Sequence, residues 1–250
     1  MSLSNICKIT PAVITPYLNE SVEVIQRCYE SVAAQSYQAR HYFVADGNQA
    51  AILKELDVEH IVLPGPHNDF GNTPRGLGAL SAINNGFDAI FFLDADNWYL
   101  PNHIEDAIKL RFDNSSIDVS ASYRHIILPD GAEVPPDSED VSRSHIDTSC
   151  MGFFESSFSI LPLWATMTPE LSVIGDRVVF QAIKARQMMI GWTEKASMCY
   201  SSRYKHHYER VGLQPPEDAY QLDLSGLRGF NPNKFLDWNG YTFQLGARVD

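Results

Sequence analysis

Two acids at the end of an apolar run are the residues best placed to do chemistry in this sequence. Asp94 and Asp96 follow Ala89-Ile90-Phe91-Phe92-Leu93, and Asn84-Asn85-Gly86 and Leu100-Pro101-Asn102 bound the stretch. A short, continuous apolar run between turn signals reads as a buried, parallel strand. The acids then lie at its C-terminal end, where open α/β sheets bind ligands. Two close carboxylates repel each other there unless a cation or hydrogen-bond donors satisfy them. A hard divalent metal that also holds a diphosphate is the simplest partner. The competing reading is a strand-end turn with two solvated acids, since an acidic chain produces about one such triplet by accident.

The elements that would position this pair follow from periodicity. Ala12 to Thr15 reads as a first strand and Pro16 to Ser21 as a polar turn. A helix from about Ser21 to Ser36 has Val22, Ile25, Cys28, Tyr29, Val32 and Ala33 on one face. His41 to Ala45 is a second strand stopped by Asp46-Gly47-Asn48, a short helix covers Gln49 to Leu56, and Glu59 to Leu63 is a third strand. This β-α-β-α-β order predicts a mostly parallel sheet with helices on both faces. Arg75 opens the next helix, whose buried side is expected to be Leu77, Leu80, Ala82 and Ile83. A cation at a helix N-terminus opposes the helix dipole, which argues against a merely structural Arg75. Pro101 begins the helix after the Asp94 strand.

Beyond about Ile117 the texture changes. Ser120 to Leu128 with Pro129-Asp130-Gly131 predicts a hairpin, and Val134 to Ser144 reads as a mobile polar loop. Thr148 to Phe154 returns to the sheet, Ser156 to Thr166 is apolar, Asp176 to Met188 is a helix and Thr193 to Tyr200 a strand. No glycine-rich phosphate loop follows any strand. The 250 residues read as one domain: a first half to about residue 115 and a second half from about 116 to 250.

A net charge of −12 argues against a surface for nucleic acid or anionic lipid. Cys7, Cys28, Cys150 and Cys199 are scattered, without a zinc or redox spacing, and are expected to be buried free thiols. Lys8 and Pro11 interrupt any signal-peptide run, and no apolar stretch is long enough to span a membrane. A cytoplasmic protein is expected, with peripheral membrane association left open.

Four motifs in order now resemble the GT-A fold glycosyltransferases, and most closely their large inverting family two. They are Val13-Ile14-Thr15-Pro16-Tyr17-Leu18-Asn19-Glu20, Val44-Ala45-Asp46-Gly47, Gly71-Asn72-Thr73-Pro74-Arg75-Gly76-Leu77-Gly78 and Phe92-Leu93-Asp94-Ala95-Asp96-Asn97. The resemblance covers about the first half of the chain. It implies a three-layer α/β/α sandwich with a C-terminal acceptor-side extension. It implies a nucleotide-sugar pocket of Thr15, Pro16, Tyr17, Asn19, Glu20 and Asp46, with Arg75 approaching the nucleotide or its diphosphate. Asp94 would face the ribose or a metal-bound water, and Asp96 would ligate Mn²⁺ or Mg²⁺. Asp176 would be the general base, although Gly175 replaces the acid that usually precedes it. His206 and His207 resemble the late histidine that some of these enzymes use as a third metal ligand.

The implied reaction is metal-assisted, inverting transfer from a UDP- or GDP-sugar to a saccharide or lipid-linked acceptor. Simpler readings stand beside these roles. Asp176 could only cap its helix, Asp46-Gly47 could be an ordinary turn, and the histidine pair could be a solvated surface. Trp98, Trp164, Trp192 and Trp238 are candidates to stack on a sugar, Trp164 first. Two other functions compete: a non-catalytic nucleotide-sugar-binding module, and a phosphohydrolase with Asp94 as nucleophile. Donor sugar, acceptor and oligomeric state have no signature in the sequence.

Overall fold

The computed structural model describes residues 9–221, so Cys7, Trp238 and the end of the chain lie outside the described residues. The first half is β1 (Pro11–Tyr17), α1 (Val22–Ala33), β2 (Arg40–Ala45), β3 (Glu59–Val62), α2 (Asn72–Asn84) and β4 (Ala89–Phe92). Then come β5 (Trp98–Tyr99), α3 (His103–Asp113), β6 (Val119–Ile127), β7 (Glu133–Val134), α4 (Ser138–Ser142) and β8 (Met151–Phe154). The described chain closes with α5 (Leu163–Thr166), α6 (Gly175–Ala185), β9 (Ile190–Ser201) and α7 (Lys205–Arg210). No helix among the described residues is long and apolar enough to cross a membrane.

The strands form one sheet in the order β3-β2-β1-β4-β8-β6-β9-β5, with β7 paired to β6. The β3-β2-β1-β4 block is parallel, as its β-α-β order requires. β8 then runs antiparallel to both β4 and β6, β5 antiparallel to β9, and β7 antiparallel to β6, while β6 and β9 are parallel. The sheet is therefore mixed rather than mostly parallel. Periodicity reveals that a strand is buried but not which way it runs. Alternation along β1 places helices on both faces. Thr15 Oγ1 lies 3.7 Å from Cys28 Sγ of α1, while its neighbour Ile14 faces Gly78 of α2. The core between the layers holds Ile14, Phe43, Phe91, Phe92 and Phe153, all buried. Cys28, Cys150 and Cys199 are free and buried.

Three local expectations change. The helix expected over Gln49 to Leu56 is a single 3₁₀ turn, Ala51–Lys54. Pro101 lies in the turn before α3, which starts at His103. α2 buries Ala82 and packs Ile83 on the core as expected, but Leu77 and Leu80 are 38% and 41% exposed, and Pro74, Arg75, Gly76, Gly78 and Ala79 are buried instead. Its small residues allow close approach. A Cβ at Gly76 would stand 2.7 Å from Ala165, and one at Gly78 would stand 2.5 Å from Ile14 Cγ2 and 2.7 Å from Val44 Cγ2. Close packing carries Arg75 to the end of β4.

Gly78→Ala tests this approach. Alanine favours a helix over glycine by about 1 kcal/mol, but the stiff methyls of Ile14 and Val44 have no room to retreat. A net loss of about 1–3 kcal/mol is expected in urea unfolding. A stabilised variant would show that α2 can move off the sheet.

Candidate active site

The chain leaves β4 at Phe92, and Leu93 N still bonds to Ile14 O. Asp94 therefore emerges at the C-terminal edge between β1 and β4. Its amide donates to Ser149 Oγ at 3.2 Å, and its Oδ1 accepts from Arg75 Nη2 at 2.5 Å. Arg75 is buried, and its guanidinium stacks 4.7 Å above the Trp164 ring. Nη1 donates to Asn72 Oδ1 at 2.8 Å, and Asn72 Nδ2 donates to Ser172 O at 3.0 Å. A guanidinium this dry needs such partners. Gly175 belongs to the same assembly: a Cβ there would stand 2.9 Å from both polar atoms of the Asn72 amide. The departure from the family pattern thus has a packing cause. Trp164, 1% exposed and edge-on to Phe92, supports Arg75 and has no face free to stack on a sugar.

Asp96 is exposed at the mouth of the site. Arg27, stacked on Trp98, donates to its backbone carbonyl at 2.6 Å rather than to its carboxylate. Desolvation and then the charges of Asp94 and Glu20 push its carboxyl up to about 7. Water still reaches the side chain and screens part of this, so the like-charged neighbours are the firmer cause. A hard cation fits such a donor set, because it would ionise Asp96 and offset the crowded acids. The set is small, however. No group of three or more His, Cys, Asp or Glu side chains among the described residues is arranged to hold a metal. Water and a substrate's own oxygens would have to complete the shell, as Mg²⁺ commonly accepts. His206 and His207 lie side by side on α7, ring centroids 4.0 Å apart. His207 is buried, with Nδ1 2.5 Å from Ser202 Oγ and Nε2 3.7 Å from Asp137, so its polar contacts are not with Asp94 or Asp96.

The residues expected at the nucleotide pocket divide into two groups. Thr15 is buried, and its hydroxyl meets His41 Nε2 at 2.8 Å. Tyr17 is buried too: its hydroxyl meets His60 Nε2 at 2.7 Å and accepts from Ala50 N at 3.0 Å. Both hold the edge from below. Pro16 packs against Gly71, where a Cβ would stand 3.1 Å from the proline ring. Asn19 and Glu20 reach solvent. Asn19 Oδ1 accepts from Asn48 Nδ2 at 2.8 Å, and Glu20 Oε2 accepts from Leu18 N at 2.7 Å. Asp46 follows β2 directly, and both of its carboxylate oxygens meet His67, a residue the sequence did not single out.

Asp176 lies in the first turn of α6 but does not cap it, since Ile174 occupies the cap position. Its Oδ2 accepts from His145 Nε2 at 2.7 Å and its Oδ1 from the next amide, Arg177 N, at 2.7 Å. Burial pulls the carboxyl upward, but the His145 bond and charge together with Arg177 outweigh it and hold it below the usual range. Burial pulls His145 down, and Asp176 and Asp147 outweigh that, so its imidazole is raised. Periodicity gave no hint of His145. The segment before it, read as a mobile loop, contains α4 and is pinned by Arg124, which meets Asp140 at 3.1 Å, Asp147 at 2.7 Å and Asp137 at 3.8 Å. The gathering of Asp137, Asp140 and Asp147 within a short stretch was the available signal.

A short run joins the two clusters. His145 meets Asp176, Asp147 meets Arg124, and Ser149 accepts from Asp94 N. Burial raises the Asp147 carboxyl, Arg124 opposes this, and Asp94 and Asp176 add to the rise, so this buried acid senses both sides.

A parallel β3-β2-β1-β4 block continued by an antiparallel β8 in a curled mixed sheet is the layout of the GT-A fold. The chain belongs to glycosyl transferase family 2: the model of that family matches residues 12–155, more than half the sequence. Arg75, Asp94, Asp96 and His145 lie inside the match, and Asp176 lies beyond it. Among curated proteins, no sequence matches this one. Among solved structures, it is similar to S. aureus TarS 1-349 in complex with UDP, at 16% identity and TM-score 0.60, covering 96% of this chain and 76% of that one. The UDP-GlcNAc complex of TarS 1-349 gives 15% identity and TM-score 0.61, covering 80% of this chain and 61% of that one. A longer TarS structure gives 15% identity and TM-score 0.55, and there 81% of this chain spans only 38% of the other. At such identities the likeness is one of fold.

The His145–Asp176 pair predicts a pH window. The raised imidazole contributes stability fully below its unfolded value near 6.5, and loses it as pH rises through the higher folded value. The lowered carboxyl contributes above its unfolded value near 3.8, and loses it as pH falls through the lower folded value. The Tm difference between wild type and His145→Ala should therefore be largest between about pH 4 and pH 6.5 and shrink on either side. A difference that stays flat from pH 4 to 9 would show that the two groups carry no ion pair.

Proposed function

We propose that the protein transfers a glycosyl group from a nucleoside diphosphate sugar to an acceptor hydroxyl, with inversion at the anomeric carbon. The observation that supports this reading is the pair Asp94 and Asp96 at the end of β4, joined through the run from Ser149 to His145 to the Asp176 carboxylate, within a family 2 chain. The donor is expected to lie across the C-terminal edge, base toward β2 and diphosphate toward β4. The strands between are spaced about 4.8 Å apart, so β2 and β4 stand roughly 10 Å from each other. That suits a nucleoside diphosphate laid across β1. Held at Asp96 with Asp94 beside it, Mn²⁺ or Mg²⁺ would neutralise charge on the departing diphosphate.

The chain's own residues supply the rest. Arg75 fixes Asp94 in place, and its guanidinium adds positive charge at the diphosphate end. Asp176 takes the acceptor proton as the new bond forms on the opposite face of the sugar. The proton stays on Asp176, and the His145 Nε2–H that meets its Oδ2 keeps the carboxylate ionised and oriented before transfer.

The TarS complexes make UDP and UDP-GlcNAc the first compounds to assay. Saccharide and lipid-linked alcohols are the acceptors to survey. A cytoplasmic enzyme working at a membrane surface through a partner is consistent with the acidic charge. The phosphohydrolase reading is disfavoured, because the Asp94 carboxylate is held by Arg75 rather than free to attack.

Asp96→Ala should leave the melting curve intact and abolish any Mn²⁺-dependent tightening of UDP, read by calorimetry. Unchanged metal dependence would remove Asp96 from the metal role. Asp176→Asn should bind donor with wild-type affinity and lose transfer by at least about 100-fold. Wild-type turnover in that variant would dismiss it as base. Donor binding without turnover across a broad acceptor panel would instead favour a non-catalytic module.

A further inference from the structure

Asp46 is the acid that the sequence pattern assigns to the base of the nucleotide, yet it is not available at the surface. Its side chain is 6% exposed, whereas that of His67 is 37% exposed. Asp46 Oδ2 accepts from His67 N at 2.9 Å, and Oδ1 lies 2.6 Å from His67 Nδ1. The group that reaches solvent at this corner is the imidazole.

The loop carrying His67 is fixed at several points. It leaves β3 and reaches α2 across the ends of β2 and β1. Gly47, at φ +104°, lies against it so closely that a Cβ would stand 3.0 Å from Gly65 C and Pro66 N. At the far end Asp69 Oδ2 accepts from Thr73 N at 2.8 Å, in the first turn of α2. Asp46 N donates to Tyr17 O, which ties the same corner to β1.

An ionised carboxylate can only accept hydrogen bonds. At 2.6 Å from Asp46 Oδ1, His67 Nδ1 must therefore carry a proton. In the neutral ring the outward Nε2 is then a lone pair. We propose that His67 Nε2, oriented by Asp46, is the atom that reads the nucleobase, and that it selects bases presenting an N–H on the pairing edge. Uracil offers N3–H and guanine offers N1–H. Cytosine N3 and adenine N1 are lone pairs and would face another lone pair. Asp46 is a positioning residue in this arrangement. The inference rests on the reading that a nucleoside diphosphate occupies this edge.

The test is calorimetry with UDP, GDP, CDP and ADP on wild type, His67→Ala and His67→Gln. Wild type should bind UDP or GDP at least about tenfold tighter than CDP and ADP, the scale of one hydrogen bond against an unpaired polar group. His67→Ala should lose that preference while CDP affinity holds or improves. Glutamine can donate to Asp46 and offer its carbonyl outward, so His67→Gln should restore part of the preference. That rescue separates base reading from a folding defect, which would weaken all four ligands alike. A His67→Ala protein that keeps the wild-type ratio of UDP to CDP overturns the inference and returns the reading to Asp46. Equal binding of all four ligands by wild type also overturns it, with the nucleotide site intact. If none of the four binds wild type, the donor site itself is wrong and the inference falls with it.

Discussion

Like charges held close together govern this molecule. Asp94, Asp96 and Glu20 gather at one sheet edge, and Asp137, Asp140, Asp147 and Asp176 gather on the other side, in a chain that already carries −12. Charges a few ångströms apart repel by several kcal/mol where water is partly excluded. The fold answers with a few cations, each shaped to its place. Arg124 serves three aspartates, Arg75 serves Asp94 from beneath, and His145 serves Asp176. Arg27 bonds the Asp96 carbonyl and leaves its carboxylate toward solvent. Asp96, exposed beside Asp94, is thus an acid that an incoming cation can reach.

Much of the first half was legible because its signals are local. The apolar run before Asp94, the period of α1 and the stop at Asp46-Gly47 each belong to one element, and all three appear in place. α2 was misread because the amphipathic rule counts large apolar side chains, and this helix buries glycine, alanine and an arginine instead. His145 was invisible because its partner lies 31 residues away on another element. The Val134 to Ser144 stretch looked mobile because proline and acids favour loops, but the residue that pins it, Arg124, is on β6. His67 was missed for the same reason: its meaning comes from Asp46, across a loop that has no period to read.

Gly175 shows how a departure from a pattern can mislead. Missing an acid at that position suggests lost chemistry. Its neighbours suggest a different history: Asn72 fills the space, and Asn72 holds Arg75 over Trp164. The absent side chain belongs to the support of the β4 edge, and the acid at 176 keeps its own partner.

The run from His145 to Ser149 has an implication for how such proteins diversify. Its first residue serves the second half and its last serves the β4 edge. Grafting a new C-terminal portion onto this N-terminal one, by recombination or by design, would have to cross this bridge. A junction placed within it would unfasten both clusters at once. Workable chimeras should therefore carry all five residues from a single parent, with Arg124 and the partner of His145 chosen to match.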